Sequence, residues 1–246
     1  MASDLRACFP TQRPLLLREL AFPAPLRLLV LAPHPDDFDA VAVTLRHFHQ
    51  RGHALSLVVL SSGWSGVEDA FCDPPTPARK AAVREEEQRA SCRLFGLPDA
   101  AVSFARLVED AAGHIADMPA NRAAVAALFA AARPDFVFCP HGNDTHPDHR
   151  WTAARVAELG AAAGRPVVAW LNHDPKTIAM PYDVVTEFDE AAAAWKGALL
   201  RCHASQHQRN LRTRGHGFDE RILADNRALA RALGLAAGGA EAFALG

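Results

Sequence analysis

An α/β sandwich around a mostly parallel sheet is the fold class this sequence predicts, and three observations predict it. Short apolar runs recur along the chain, longer stretches of helical character separate them, and three of those stretches open on proline. Parallel neighbours need crossover connections, and a helix is the usual one. Half of the 246 residues are hydrophobic, enough for a full core without disulfides, so a single domain over residues 1–246 is expected.

The strands are read at Leu26–Ala32, Leu55–Leu60, Val102–Leu107, Phe136–Cys139 and Val167–Leu171, each bounded by Pro, Gly, Asp or Ser. Helices are read at Asp39–Arg51, Pro77–Phe95, Pro119–Ala132 and Pro147–Leu159, where a proline at the first helical position withholds only an amide that needs no partner. Residues 1–24 read as an N-terminal extension. From Tyr182 a strand or loop should lead into two helices, Asp189–Ser205 and Asp219–Leu233, and the Ala/Gly-rich end, 235–246, reads as a fraying tail. In such a sheet ligands bind outside the carboxyl ends of the strands.

Composition excludes several classes of partner. A net charge of -2 offers no broad attraction to phosphate backbones or anionic lipid, so nucleic acid is not an expected partner. Cys8, Cys72, Cys92, Cys139 and Cys202 are odd in number and scattered, with no C-x-x-C pair, which argues against a disulfide framework or a thiolate zinc site. The opening MASDLRACFPTQRP lacks the pattern of a secretion signal, and no apolar stretch approaches the ~20 residues that span a bilayer. A cytoplasmic protein, with homo-oligomers allowed, is expected.

Two polar clusters stand at strand ends. In LRLLVLAPHPDDFDA, His34, Asp36 and Asp37 follow directly on an apolar run. Pro33 and Pro35 stiffen the turn, and crowding two carboxylates raises a cost that a divalent cation relieves. The plain alternative is that the aspartates cap the next helix. In DFVFCPHGNDTHPDHRW, three histidines and two aspartates fall within nine residues at the end of another strand. One histidine from each cluster plus Asp37 would make the mixed His/carboxylate set that zinc accepts, leaving a coordination position open for water. A helix start with Pro147 at its first position is the plain alternative there, and both readings can hold together.

With both clusters in view, the chain resembles the LmbE/PIG-L family of zinc-dependent de-N-acetylases. The likeness rests on Pro33-His34-Pro35-Asp36-Asp37-Phe38 and His146-Pro147-Asp148-His149, preceded by Asp144. Weaker agreement extends to Ser61–Gly66, to Arg84 and Glu87, and to the stretch from Lys196 through His203, Ser205 and Gln206. The resemblance implies a Rossmann-like three-layer sandwich, Zn2+ or another divalent transition metal on His34, Asp37 and His149, and Asp36 as general base. It implies a protonated His146 that stabilises the oxyanion, oriented by Asp148, and it raises Arg84 and Asp144 to candidate substrate contacts. The expected reaction is hydrolysis of an N-acetyl or other N-acyl group on an amino sugar such as N-acetylglucosamine or its conjugate. Phe38 departs from the family's acidic residue, with an acid displaced to Asp39, which puts the support around the metal in question.

Other signals weigh less. Spacing alone makes Arg84 and Glu87 an ordinary exposed helix pair worth ~0.2–0.5 kcal/mol. His203, His207 and His216, and the lone His114 and His173, read as surface or helix-end histidines. Ser61–Gly66 reads as a loop flanking the pocket, since it lacks the G-x-G-x-x-G of a dinucleotide site. No G-x-S-x-G elbow points to a serine hydrolase. The competing functions are a metal-dependent amidohydrolase acting on a non-sugar N-acyl metabolite and a non-catalytic metabolite-binding module.

Overall fold

A computed structural model describes residues 5–23 and 25–246. In chain order its elements are β1 (Leu15–Leu16), β2 (Arg27–Ala32), α1 (Asp37–Ala40), α2 (Ala42–His49), β3 (Ala54–Val59), α3 (Pro77–Phe95), β4 (Val102–Phe104) and α4 (Pro119–Ala132). The second half adds β5 (Phe136–Pro140), α5 (Pro147–Ala162), β6 (Val168–Asn172), β7 (Val184–Phe188), α6 (Glu190–Arg201), α7 (Ala204–Arg214), α8 (Phe218–Ala232) and β8 (Gly239–Leu245). Among the described residues the strands form one eight-stranded sheet in the order β1-β7-β8-β6-β5-β2-β3-β4. Every pairing is parallel except those of β8, which runs antiparallel to both β6 and β7.

Strand periodicity sorts the core into two faces. Leu28, Val30 and Ala32 of β2 pack on one side with Phe48, Phe136, Phe138 and Trp170, whereas Leu29 and Leu31 pack on the other with Val125, Phe129 and Val156. Alternate side chains of a strand leave opposite faces, so a sheet covered by helices on both sides needs an uninterrupted apolar run. Phe48 of α2 meets the rings of Phe22, Phe136, Phe138 and Trp170 at centroid distances of 5.4–5.9 Å. This anchors α2, the helix that follows the His34–Asp37 turn, onto the sheet.

The chain leaves β2 toward β3 on one side, while β5 pairs with β2 on the other. That reversal opens a crevice at the carboxyl ends of β2 and β5, the ligand position of open α/β sheets. His34–Asp37 follows β2 and His141–His149 follows β5, so both polar clusters emerge at this crevice.

The structure departs from the sequence reading at several elements. Residues 235–246 do not fray: Gly239–Leu245 is a strand inside the sheet with six of its seven residues buried. The N-terminal extension contributes β1, which pairs with β7; residues 1–4 lie outside the described ones. The helix expected over Asp39–Arg51 is broken at Val41, φ -122. There Glu241 of β8 accepts the amides of Val43 (3.1 Å) and Thr44 (2.8 Å), which start α2. Lys196 donates to the carbonyl of Ala40, which ends α1. A distant strand therefore supplies partners that a continuous helix would have found within itself.

The expected helix Asp189–Ser205 stops at Arg201, and a separate α7, not foreseen, begins at Ala204. The strand expected to Leu107 ends at Phe104, and Arg106 turns the chain with φ 47. No disulfide joins Cys72, Cys92, Cys139 or Cys202. Among the described residues no helix is long and apolar enough to cross a membrane.

Candidate metal centre and active site

His34 leaves the end of β2 on a tight turn in which its own amide donates to Asp37 Oδ2 at 2.8 Å. The same oxygen lies 3.3 Å from His34 Nδ1, and Asp37 Oδ1 lies 3.6 Å from His149 Nε2 on the first turn of α5. Tetrahedral coordination with bonds of about 2.0–2.1 Å places neighbouring donor atoms about 3.4 Å apart. Each spacing is of that order, although the two run to different oxygens of Asp37.

The remaining ring nitrogens are committed elsewhere. His34 Nε2 donates to Asp148 Oδ2 at 2.9 Å, and His149 Nδ1 donates to Asp144 Oδ2 at 3.1 Å. Each imidazole thus has one nitrogen fixed by a buried carboxylate and the other aimed at Asp37, the arrangement in which an outer carboxylate sets the tautomer of a metal-binding histidine. His149 Nε2 is fully buried without a hydrogen-bond partner among the described residues. A buried ring nitrogen left without a partner costs roughly 1–3 kcal/mol unless something fills the gap.

Electrostatics agree. Burial pushes the His149 imidazole down, but the carboxylates of Asp37 and Asp144 outweigh it and hold the group up at about 9. Burial likewise opposes ionisation of Asp37, yet His149 and His34 keep its carboxyl well below the usual range. The pocket therefore favours positive charge between these three side chains. The site fits a divalent cation: ligand atoms of His34 and His149 lie within 4.8 Å of each other, with Asp37 against both rings.

His146 completes the cluster. Ligand atoms of His34, His146 and His149 all lie within 4.8 Å of one another. Its Nδ1 accepts the amide of Asp148 at 3.3 Å, capping α5 ahead of Pro147, so the helix-start reading holds alongside the functional one. That bond leaves the proton on Nε2. The expectation of a protonated His146 is corrected: burial, then the nearby His34, Lys176 and His149, push the imidazole down to about 3. Asp148, expected to orient His146, keeps its carboxylate 4.0 Å from His146 Nδ1 and gives it instead to His34 and to the amide of Ile115 at 3.0 Å.

Asp36 stands beside the cluster in a strained conformation, φ 120, which costs of order 1–3 kcal/mol and persists only where its surroundings enforce it. Gln88 accepts its amide at 2.9 Å, and Arg84 donates to its Oδ2 at 2.7 Å and to the carbonyl of Pro35. Neither aspartate caps α1: no side-chain cap bond is made there. Arg84 is only 2% exposed, and it also bonds Glu87, which accepts both the amide (2.6 Å) and the hydroxyl (2.8 Å) of Ser205 at the start of α7. An exposed helix pair is thus the wrong description of Arg84 and Glu87. Arg84 reaches the pocket wall, consistent with a substrate contact, although its first partner is Asp36.

Asp144, the other candidate substrate contact, is corrected. It is 1% exposed, and its oxygens serve His149 Nδ1 and the amide of His146 (2.6 Å). Phe38 is fully buried with its ring 5.0 Å from that of Phe95, while Asp39 accepts from Ser91 (2.5 Å) and Gln88 (3.2 Å) and pairs with His203 Nε2 (2.6 Å). The displaced acid therefore supports the helix behind the turn rather than the histidines. His203 stands at a helix end and His114 is partly exposed, as expected, but both have carboxylate partners. His203 is fully buried on Asp39, and His114 Nδ1 lies 3.4 Å from Asp148 in the pocket wall. His203 lies in the stretch from Lys196 to Gln206 that carries the weaker resemblance, whereas nothing in the spacing around His114 pointed to its place.

The cluster opens into a cavity of about 590 Å³, within the size range of small-molecule sites. Gly63, Ser65 and Gly66 line it, as expected of the Ser61–Gly66 loop. Gly113 closes against that loop with φ 82, where a Cβ would stand 2.7 Å from Ser65 Oγ.

Residues 29–159 match the sequence profile of a family described as PIG-L, GlcNAc-PI de-N-acetylase. The chain belongs to the PIG-L family. Both polar clusters of this PIG-L chain fall within the matched residues. Among solved structures it is similar to the N,N'-diacetylchitobiose deacetylase of Pyrococcus horikoshii, at 18% identity and a TM-score of 0.70 over 89% of this chain and 83% of that one. A deacetylase of the teicoplanin biosynthesis pathway shares 15% identity at a TM-score of 0.68, over 89% and 98%. The 4-carboxy-2-hydroxymuconate hydratase of Pseudomonas putida shares 20% identity at 0.65, over 89% and 94%. These likenesses show the fold. No curated protein matches the sequence at a significant level.

Proposed function

We propose that this PIG-L chain hydrolyses the N-acetyl, or a closely related N-acyl, group of an amino sugar or its conjugate. One observation carries the reading: His34 and His149, each held from behind by a carboxylate, converge with Asp37 beside a cavity that His34, Asp36 and Asp37 line, and Asp36 is held on a separate tether. The family match to a de-N-acetylase profile supports the bond broken.

His34, Asp37 and His149 would hold a divalent ion, zinc by the chemistry of the donor set, which when bound supplies Lewis acidity and an acidified water. Asp36 acts as general base: Arg84 occupies its Oδ2 and fixes its direction, leaving Oδ1 to take a proton from the attacking water. His146 Nε2–H donates to the oxyanion of the tetrahedral intermediate, in the neutral form dictated by the backbone amide on its Nδ1. A neutral imidazole donor avoids protonating a group crowded by His34 and Lys176. Asp36, now carrying the proton it took, returns it to the leaving amine.

The test pairs acetate release from a panel of N-acetylated amino sugars with metal analysis. Asp36→Asn should keep the metal stoichiometry of the wild type while turnover falls by roughly 10²-fold or more. Undiminished turnover in that variant, or no acetate from any N-acetylated sugar, would remove this reading.

A further inference from the structure

We infer that Gln88 is a positioning residue for Asp36: it pins the peptide group that carries Asp36, and Asp39 and His203 fix which end of its own amide does so. The task assigned to Asp36 rests on the deacylase reading; the hold on its main chain does not.

One polar face of α3 is turned inward. Arg84, Glu87, Gln88 and Ser91 lie at i, i+3, i+4 and i+7, and all four are buried, where residues of these types ordinarily face water. Arg84 and Gln88, one turn apart, grip the peptide group between Pro35 and Asp36 at both ends. Arg84 donates to its carbonyl oxygen, and Gln88 Oε1 accepts its N–H at 2.9 Å. A planar group held at both ends cannot swing, so φ of Asp36 stays at 120, a value that residues other than glycine rarely adopt and that persists only under constraint. The same backbone sets where the Asp36 carboxylate points, and Arg84 then holds its Oδ2 at 2.7 Å.

The side-chain amide of Gln88 could serve only in one orientation, because its oxygen accepts and its nitrogen donates. Asp39 decides between them. Its Oδ2 lies 3.2 Å from Gln88 Nε2, and a carboxylate accepts, so the nitrogen faces Asp39 and the oxygen is left for Asp36. Cys92 Sγ, 3.5 Å from the same nitrogen, agrees. Asp39 is held in turn by Ser91 Oγ at 2.5 Å and by His203 Nε2 at 2.6 Å. Gln88, Ser91, Asp39 and His203 are all fully buried, which keeps water from competing for these bonds. A fixed order of donors and acceptors therefore runs from the start of α7 to the amide of Asp36. It gives a task to the acid displaced to Asp39 beside Phe38, and to His203, neither of which the reaction itself uses.

The experiment compares metal-loaded wild type with two variants by crystallography and by steady-state acetate release from N-acetylglucosamine. Gln88→Met removes the acceptor and keeps the shape. Gln88→Glu/Asp39→Asn reverses the order of the bonds: the carboxylate at 88 accepts from the Asp36 amide and from the amide nitrogen at 39. In Gln88→Met, Asp36 should leave the positive-φ region and kcat should fall about tenfold or more, while KM and zinc affinity hold, since misplacing a reacting group costs turnover rather than binding. The double variant should keep φ positive and recover most of kcat, which a merely structural role for Gln88 would not produce. Positive φ or wild-type kcat in Gln88→Met would overturn the inference, as would a folded double variant that recovers neither. If Gln88→Met cannot be obtained folded, the double variant decides alone. Relaxed φ in Gln88→Met with no acetate released even by wild type keeps the positioning role and removes the deacylase reading. Full turnover and positive φ in that variant do the reverse.

Discussion

Single side chains in this protein are placed by the partner behind them. Asp144 never reaches the cavity, yet it fixes the tautomer of His149 from 3.1 Å. Asp144→Ala should therefore weaken metal binding by about 10–100-fold, the usual effect of losing such an outer partner, without changing the metal's stoichiometry at saturation. Metal titration against a competing chelator measures this, and an unchanged affinity would count against His149 as a ligand. His53 shows the same logic away from the site. It is buried, and its Nδ1 accepts the amide of Leu26 at 3.1 Å, so protonation would break that bond. Burial and Arg51 accordingly lower its pKa below the ordinary 6.5. The unfolded chain then takes up the proton first, so stability is fully present above about pH 6.5 and is lost as pH falls toward the folded value. His53→Asn keeps an acceptor oxygen in place of Nδ1 and removes the titration. In metal-free protein its melting temperature should fall less steeply between neutral pH and about pH 5 than that of the wild type.

At the level of elements, β8 decides more than its seven residues suggest. Glu241, 2% exposed, accepts from the amides of Val43 and Thr44, from Thr44 Oγ1 at 2.6 Å, and from Lys196 Nζ at 2.7 Å. One strand thereby joins α6 to the break between α1 and α2, directly behind the turn that carries Asp36 and Asp37. Glu241→Ala would strand the fully buried Lys196 ammonium, a loss of roughly 3–5 kcal/mol. Replacing both members, Glu241→Gln with Lys196→Met, should recover much of it, because the amide oxygen still accepts from Val43 and Thr44 while the unpaired charge is gone. Denaturant unfolding of the single and double variants checks this, and a double variant no better than Glu241→Ala would contradict it.

For the whole molecule, the crevice between β2 and β5 is where charge, cavity and strain coincide, so binding a cation there should stabilise the entire fold. At a hundredfold excess over the dissociation constant the gain is about 2.7 kcal/mol, or roughly 5–10 °C in melting temperature for a chain of this size. Chelation should remove that gain and added metal restore it; a melting temperature indifferent to metal would argue against the site. The five strands from β2 to β6, and the turns bearing His34, Asp36, Asp37, His146 and His149, were legible in the sequence alone. Their signals are local: an apolar run that must be buried on both sides, a proline that starts a helix, and a dense set of donors at a strand's end. Tertiary structure alone decided the rest. The Ala/Gly-rich end became a central strand because β6 and β7 present it with two unpaired edges. Arg84 found Asp36 across 48 residues, Glu241 found Thr44 across 197, and His203 found Asp39 across 164. Such pairs carry no pattern in the chain, since buried charges are fixed by the partners that folding brings to them rather than by their neighbours in sequence.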